Sequence, residues 1–157
     1  MIRISIDQLK DMPGKWVDFS FTEDSEALDL TDGEVKFTEP IKIRLAATYC
    51  NGKVILKVSL RMRVSLECSR CLKLFSLPLE SEFEEELQVN DDEAYINAAN
   101  LIRDSIVTGF PLKPLCHISC KGLCAVCGAN LNKKQCDCRQ EQVDHRLAVL
   151  EKLLERE

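Results

Sequence analysis

Eight of the nine cysteines in this 157-residue chain are grouped at spacings that suit a metal ion. Cys68-Ser69-Arg70-Cys71 and Cys124-Ala125-Val126-Cys127-Gly128 each hold a pair two residues apart. A tight turn at that spacing aims both thiolates at one ion, with Zn–S bonds of about 2.3 Å, and leaves backbone N–H groups free to stabilise the charge. Gly128 allows the backbone to fold around the sulfurs. Cys136 and Cys138, one residue apart, project from the same side of an extended chain and can supply the other half of a tetrahedron. Cys116 and Cys120 complete the eight.

Eight thiols make two sets of four. Spacing favours a local site of Cys124, Cys127, Cys136 and Cys138, with Cys68 and Cys71 completed by Cys116 and Cys120. A rival partition uses one ion, held by Cys68, Cys71, Cys124 and Cys127, and His117 could stand in for one cysteine. Four thiolates close the coordination shell, so zinc here is expected to be structural, with two ions per chain. A redox pair would call for a βαβ pattern around it, and none is present. Cys50 alone reads as an ordinary small apolar residue. Neither a Ser-His-Asp set nor a phosphate-cradling glycine loop occurs, so no enzyme and no small-molecule substrate are expected.

The elements that must position these thiols are mostly strands. Residues 54–68, VILKVSLRMRVSLEC, are apolar or cysteine at every even position, a sustained period of two. Upstream, Ile41, Ile43, Leu45, Ala47 and Tyr49 share one face, and Asn51-Gly52 between the runs is the strongest short hairpin signal. A two-residue turn there sets Tyr49 opposite Val54, Leu45 opposite Val58 and Ile43 opposite Leu60. A slip of one residue would put the two apolar sets on opposite sides. FSLPLESEFEEEL alternates again, with Pro78 marking an edge or a bulge, so Cys68 and Cys71 fall at the turn into a third strand. Residues around Trp16 predict one more strand. A helix follows Asn97, with Ala98, Leu101, Ile102 and Ile106 on one side, ended by Gly109 and Pro111. Residues 111–139 read as irregular, and Asp144 caps a last helix with Val143, Leu147, Leu150 and Leu154 in a stripe. The expected class is α+β: an antiparallel meander, with barrel-like closure open to it, a short helix, a zinc-binding segment and a C-terminal helix. The expected organisation is a β-rich body over residues 1–110 and a cysteine-rich segment with its helix over 111–157, packed as one domain.

Basic side chains form two groups. The polar side of the hairpin carries Lys42, Arg44, Lys57, Arg61 and Arg63, with Lys42 directly across from Arg61. Such like-charge pairing normally costs stability and is one mark of a phosphate-binding surface. Pairing Leu66 with Phe75 in the third strand instead sets Arg61 opposite Glu80 and Lys57 opposite Glu84, which neutralises most of that face. The cysteine segment adds Lys113, Lys121, Lys133, Lys134 and Arg139 against Asp137. Candidate nucleic-acid contacts are therefore Lys42, Arg44, Arg61, Arg63, Lys121, Lys133 and Lys134.

A net charge of −5 argues against coating nucleic acid by bulk attraction and fits a basic partner equally well. The apolar runs are too short to cross a bilayer, and MIRISIDQLKDM lacks the basic and apolar regions of a secretory signal. A cytoplasmic, reducing compartment is the expectation, and it favours metal over disulfides.

LECSRCLKLF, PLKPLCHISCKGLCAVCGANLNKKQCDC and DHRLAVLEKLL together resemble the YceD family, also called DUF177. The resemblance runs from about residue 40 onward, and the family's cysteine pairs fall on Cys68, Cys71, Cys116, Cys120, Cys124, Cys127, Cys136 and Cys138. It implies a role in accumulation of 23S rRNA and production of the large ribosomal subunit. Two routes fit: direct binding of rRNA through the lysines or the hairpin face, or engagement of a basic ribosomal protein by the acidic surface and terminal helix. A zinc- or redox-responsive regulator of protein interactions is the alternative.

Overall fold

A strand with an apolar side chain at every second position needs one face covered, and most of this chain serves that need. A computed structural model describes residues 2–30, 35–90 and 93–138. The elements run β1 (Arg3–Ser5), α1 (Ile6–Lys10), β2 (Val17–Glu23), a 3-10 turn (Ser25–Leu28), β3 (Lys36–Phe37), β4 (Ile41–Cys50), β5 (Lys53–Glu67), β6 (Leu74–Gln88), β7 (Tyr95–Asn97) and α2 (Ala99–Gly109). The C-terminal helix expected from Asp144 onward lies outside the described residues.

The central hairpin takes the expected register. Tyr49 pairs with Val54, Leu45 with Val58 and Ile43 with Leu60. Asn51 and Gly52 both adopt positive φ, 53° and 78°, the combination a two-residue turn needs to match the strand twist. Val54, Leu56, Val58, Leu60, Met62, Val64 and Leu66 are all buried, as are Ile41, Ile43, Leu45 and Ala47 opposite them. β6 continues the meander with Leu66 across from Phe75, Arg61 from Glu80 and Lys57 from Glu84. β2 pairs with β4, and β3 lies beside the far end of β5.

The barrel-like closure does not occur. Among the described residues, β2 pairs only with β4 and β6 only with β5, so the sheet stays open with two edges. Strand periodicity fixes which face is buried but carries no signal for strand number or stagger, on which closure depends. Pro78 sits on the β6 edge opposite Arg63, where its missing N–H costs the ladder least.

The apolar face is covered by α2, the helix expected after Asn97, and by elements too short for periodicity to reveal. β1 and β7 form a two-stranded sheet, and Ile2, Ile4, Ile6, Leu9, Leu28, Ile96, Ala98, Ile102 and Ile106 join the strands in one core. The Ser5 hydroxyl caps α1 by accepting from the Gln8 N–H. Asn97 Oδ1 accepts from the Ala99 N–H at 3.1 Å, where α2 begins. A separate small cluster of Cys68, Cys71 and Cys120, packed with Phe75, Leu115 and Leu123, lies at the end of the sheet where β5 turns into β6.

Candidate metal centres

The turn from β5 to β6 presents Cys68 and Cys71 from a tight loop. The Leu72 N–H reaches the Cys68 carbonyl at 2.9 Å, the Cys68 N–H reaches the Lys73 carbonyl at 3.0 Å, and Leu72 takes a φ of 56°. Residues 111–138 then fold against this turn with one isolated bridge, Leu123 to Asn130, and otherwise by turns. The Ser69 N–H bonds the Pro114 carbonyl at 2.9 Å, the Leu123 N–H bonds the Arg70 carbonyl at 3.1 Å, and Arg70 Nη1 donates to the Cys120 carbonyl at 2.8 Å. Gly122 makes that docking possible. A Cβ there would meet the Arg70 carbonyl oxygen at 3.0 Å, and its φ of +77° suits glycine.

Two four-cysteine sets result, Cys68, Cys71, Cys116 and Cys120 in one and Cys124, Cys127, Cys136 and Cys138 in the other. Within each set all four sulfurs lie within 4.8 Å of one another. In the first, Cys68 Sγ is 3.8 Å from Cys120 Sγ, and Cys71 Sγ is 3.7 Å from Cys116 Sγ. A tetrahedron with metal–sulfur bonds of about 2.3 Å has edges of about 3.8 Å, so the spacing fits one ion. A disulfide would need about 2.05 Å, and all nine cysteines are free thiols. Either set could hold a metal ion, and the grouping coincides with the partition favoured by spacing rather than the single-ion rival. His117 is exposed and bonds Ser119 Oγ at 3.2 Å, and Cys50 is exposed beside the hairpin turn, apart from both sets.

The electrostatics point the same way. Burial pushes the Cys68 thiol up, but N–H donors from Cys116, Cys71 and Arg70 outweigh it and lower it to about 6. Cys116 is pushed up to about 12 by burial and by the sulfurs of Cys120, Cys71 and Cys68. In the second set, the N–H groups of Cys127 and Val126 bring Cys124 down to about 6, while the neighbouring Cys127 sulfur drives Cys138 up to about 12. Four thiols this close cannot all ionise against one another's charge, and a dication removes that conflict.

The two sets differ in surroundings. Cys68, Cys71 and Cys120 are buried and Cys116 is half-buried, whereas Cys127 is exposed and Cys136 and Cys138 are half-buried. Asn132, carried on the loop between Cys127 and Cys136, donates from Nδ2 to Cys120 Sγ at 3.3 Å, and its Oδ1 accepts from the Lys121 N–H at 2.8 Å. One loop thus closes the second set and steadies a sulfur of the first. Asn132, Arg70 and Gly122 went unnoticed in the sequence; only Gly122, between two cysteines, carried a local sign. An Asn132→Ala variant should lose about tenfold in metal affinity at the Cys120 set, measured by chelator competition.

The basic residues fall into separate places. Arg61 pairs with Glu80 at 3.3 Å and Lys57 with Glu84 at 3.5 Å, so the third strand neutralises these two positions as the register implied, while Arg63 pairs with Glu39, between β3 and β4, at 2.9 Å. Lys57 Nζ also lies 4.8 Å from the Trp16 ring centroid. Lys42 and Arg44 are exposed with no ion-pair partner among the described residues. Lys121, Lys133 and Lys134 are exposed in the cysteine segment. Five residues of extended strand, about 17 Å, separate Arg63 from Cys68, at the turn against which the cysteine segment folds.

The chain is thus an open antiparallel sheet with two four-cysteine sets, either of which could hold a metal ion. Residues 56–154 match the family described as "Large ribosomal RNA subunit accumulation protein YceD", and the chain belongs to that family. It is 36% identical over 63 residues to "Large ribosomal RNA subunit accumulation protein YCED homolog 1, chloroplastic" of Arabidopsis thaliana. That match covers 40% of this chain and 20% of the relative. No solved structure matches. Among the described residues, no helix is long and apolar enough to cross a membrane.

Proposed function

We propose that this chain is a non-enzymatic factor that supports accumulation of large-subunit rRNA, held in its working shape by two structural zinc ions. The observation that carries the reading is the family match over residues 56–154, which spans most of β5, all of β6 and all eight clustered cysteines. Tetrahedral four-thiolate sets select zinc among the common closed-shell ions, and they leave no open position for substrate. Cys68, Cys71, Cys116 and Cys120 would hold one ion, and Cys124, Cys127, Cys136 and Cys138 the other.

The partner is a large-subunit component, either 23S rRNA or a basic ribosomal protein, met in the cytoplasm. Neutralisation of the hairpin face by Glu80, Glu84 and Glu39 supports the protein route. Lys42 and Arg44, without an ion-pair partner among the described residues, support direct contact with RNA together with Lys121, Lys133 and Lys134.

Cells lacking the protein should show a fall of at least twofold in the ratio of large- to small-subunit rRNA. The intact chain should restore it, and a Cys68→Ser/Cys71→Ser variant should not. An unchanged ratio would reject the reading. Affinity capture before and after nuclease digestion identifies the partner, since a ribosomal protein is retained and an RNA-bridged one is lost.

A further inference from the structure

β6 is a fifteen-residue strand with a neighbour on one side only among the described residues. Alternate N–H and C=O groups along its outer edge therefore point away from β5 with no ladder partner among the described residues. Pro78 interrupts that edge, and from Leu79 to Gln88 it runs unbroken for ten residues, about 33 Å.

The two faces beside this edge are unlike. Toward the core, Leu79, Phe83 and Leu87 are only half-buried, and α2 reaches the strand through Ser105 Oγ, 3.1 Å from Ser81 Oγ. Toward solvent stand Glu80, Glu82, Glu84 and Glu86 in a row. Lys53, Lys57 and Arg61 approach three of these carboxylates from the β5 side, yet Glu80, Glu84 and Glu86 remain 67%, 59% and 54% exposed. Each carboxylate can accept from a second cation on its outer side.

An added strand would meet Leu79, Phe83 and Leu87, with Ser81 and the exposed Glu85 between them, on one face and the row of carboxylates on the other. A second copy of β6 would set glutamate against glutamate, and RNA would bring phosphate to the same row; like charges oppose both. An extended segment alternating apolar and basic residues satisfies the free backbone groups and both faces together.

We propose that the outer edge of β6, residues 79–88, binds an extended basic segment of another protein by strand addition. The inference deepens the partner in the proposed function and does not depend on the metal centres.

The probe is a fluorescent ten-residue peptide alternating lysine with valine or threonine, added to the full chain, with a matching glutamate peptide as control. The lysine peptide should bind, weaken as salt rises, and slow amide exchange at residues 79–88. A Glu84→Lys/Glu86→Lys variant, with exchange in β5 unchanged to show that it is folded, should bind at least tenfold more weakly. Failure to bind, equal binding by the variant or by the glutamate peptide, or protection gained elsewhere would overturn the assignment. So would an edge already protected in the free protein, or competition by single-stranded RNA for residues 79–88. Any of these would leave the large-subunit reading to its own test, the rRNA ratio.

Discussion

Stripping the metal should release residues 111–138 from the end of the sheet while the sheet itself stays folded. Among the described residues, that segment has little else to hold it. Its regular structure is one bridge, and Leu112 and Ile118 are 100% and 96% exposed. Three hydrogen bonds tie it to the Cys68–Cys71 turn, through Ser69, Arg70 and Leu123, beside an apolar cluster whose three buried members are all cysteines. Each such hydrogen bond contributes about 1 kcal/mol net, whereas a structural zinc site contributes on the order of 10 kcal/mol at neutral pH. The main core contains none of the eight clustered cysteines, so its burial is independent of the metal. Amide exchange with and without chelator measures this directly. Protection at Leu123, whose N–H is bonded to the Arg70 carbonyl on the turn, and at Cys124 and Leu131, whose N–H groups are bonded within the segment, should vanish, while Leu45 and Leu60 remain protected. Protection retained at Leu123 and Leu131 in metal-free protein would show that packing alone holds the loops.

A Leu60→Ala substitution should cost about 2–5 kcal/mol of unfolding free energy, while Arg61→Ala, its neighbour, should cost less than about 1 kcal/mol. Leu60 is fully buried at the middle of β5, opposite Ile43 on one side and Ser81 on the other, so truncation leaves a cavity walled by two strands. Arg61 points to the opposite face, where its ion pair with Glu80 joins side chains 60% and 67% exposed. Water and salt screen such a pair, and ordering two long side chains offsets most of its Coulomb energy. Urea denaturation of the three proteins tests the contrast. Equal losses at both positions would mean that the two faces of β5 are not differently buried.

The register of β4, β5 and β6 could be read from residues alone because two local signals agreed. Asn51-Gly52 fixed the turn, and only one pairing then placed both apolar sets on one side. The separate pairing of Leu66 with Phe75 foretold the Arg61–Glu80 and Lys57–Glu84 pairs. Arg63–Glu39 escaped, because Glu39 reaches β5 through the two-residue strand β3, far too short to show a period. β1, α1 and β7 escaped for the same reason, each spanning three to five residues. The four-cysteine groupings were readable because thiol spacing within a turn restricts which sulfurs can converge. The contacts behind them were not: Asn132 reaches Cys120 only through the path of a loop twelve residues on, and Arg70 reaches the Cys120 carbonyl across fifty.

Metal content per chain, by native mass spectrometry of the intact protein and two variants, tests the central claim most directly. Wild type should carry two zinc ions. Cys68→Ser/Cys71→Ser should carry one, held by the Cys124 set, and Cys136→Ser/Cys138→Ser should carry one, held by the Cys68 set. A single ion in wild type, lost on changing Cys68 and Cys71 but kept on changing Cys136 and Cys138, would contradict two independent four-cysteine centres.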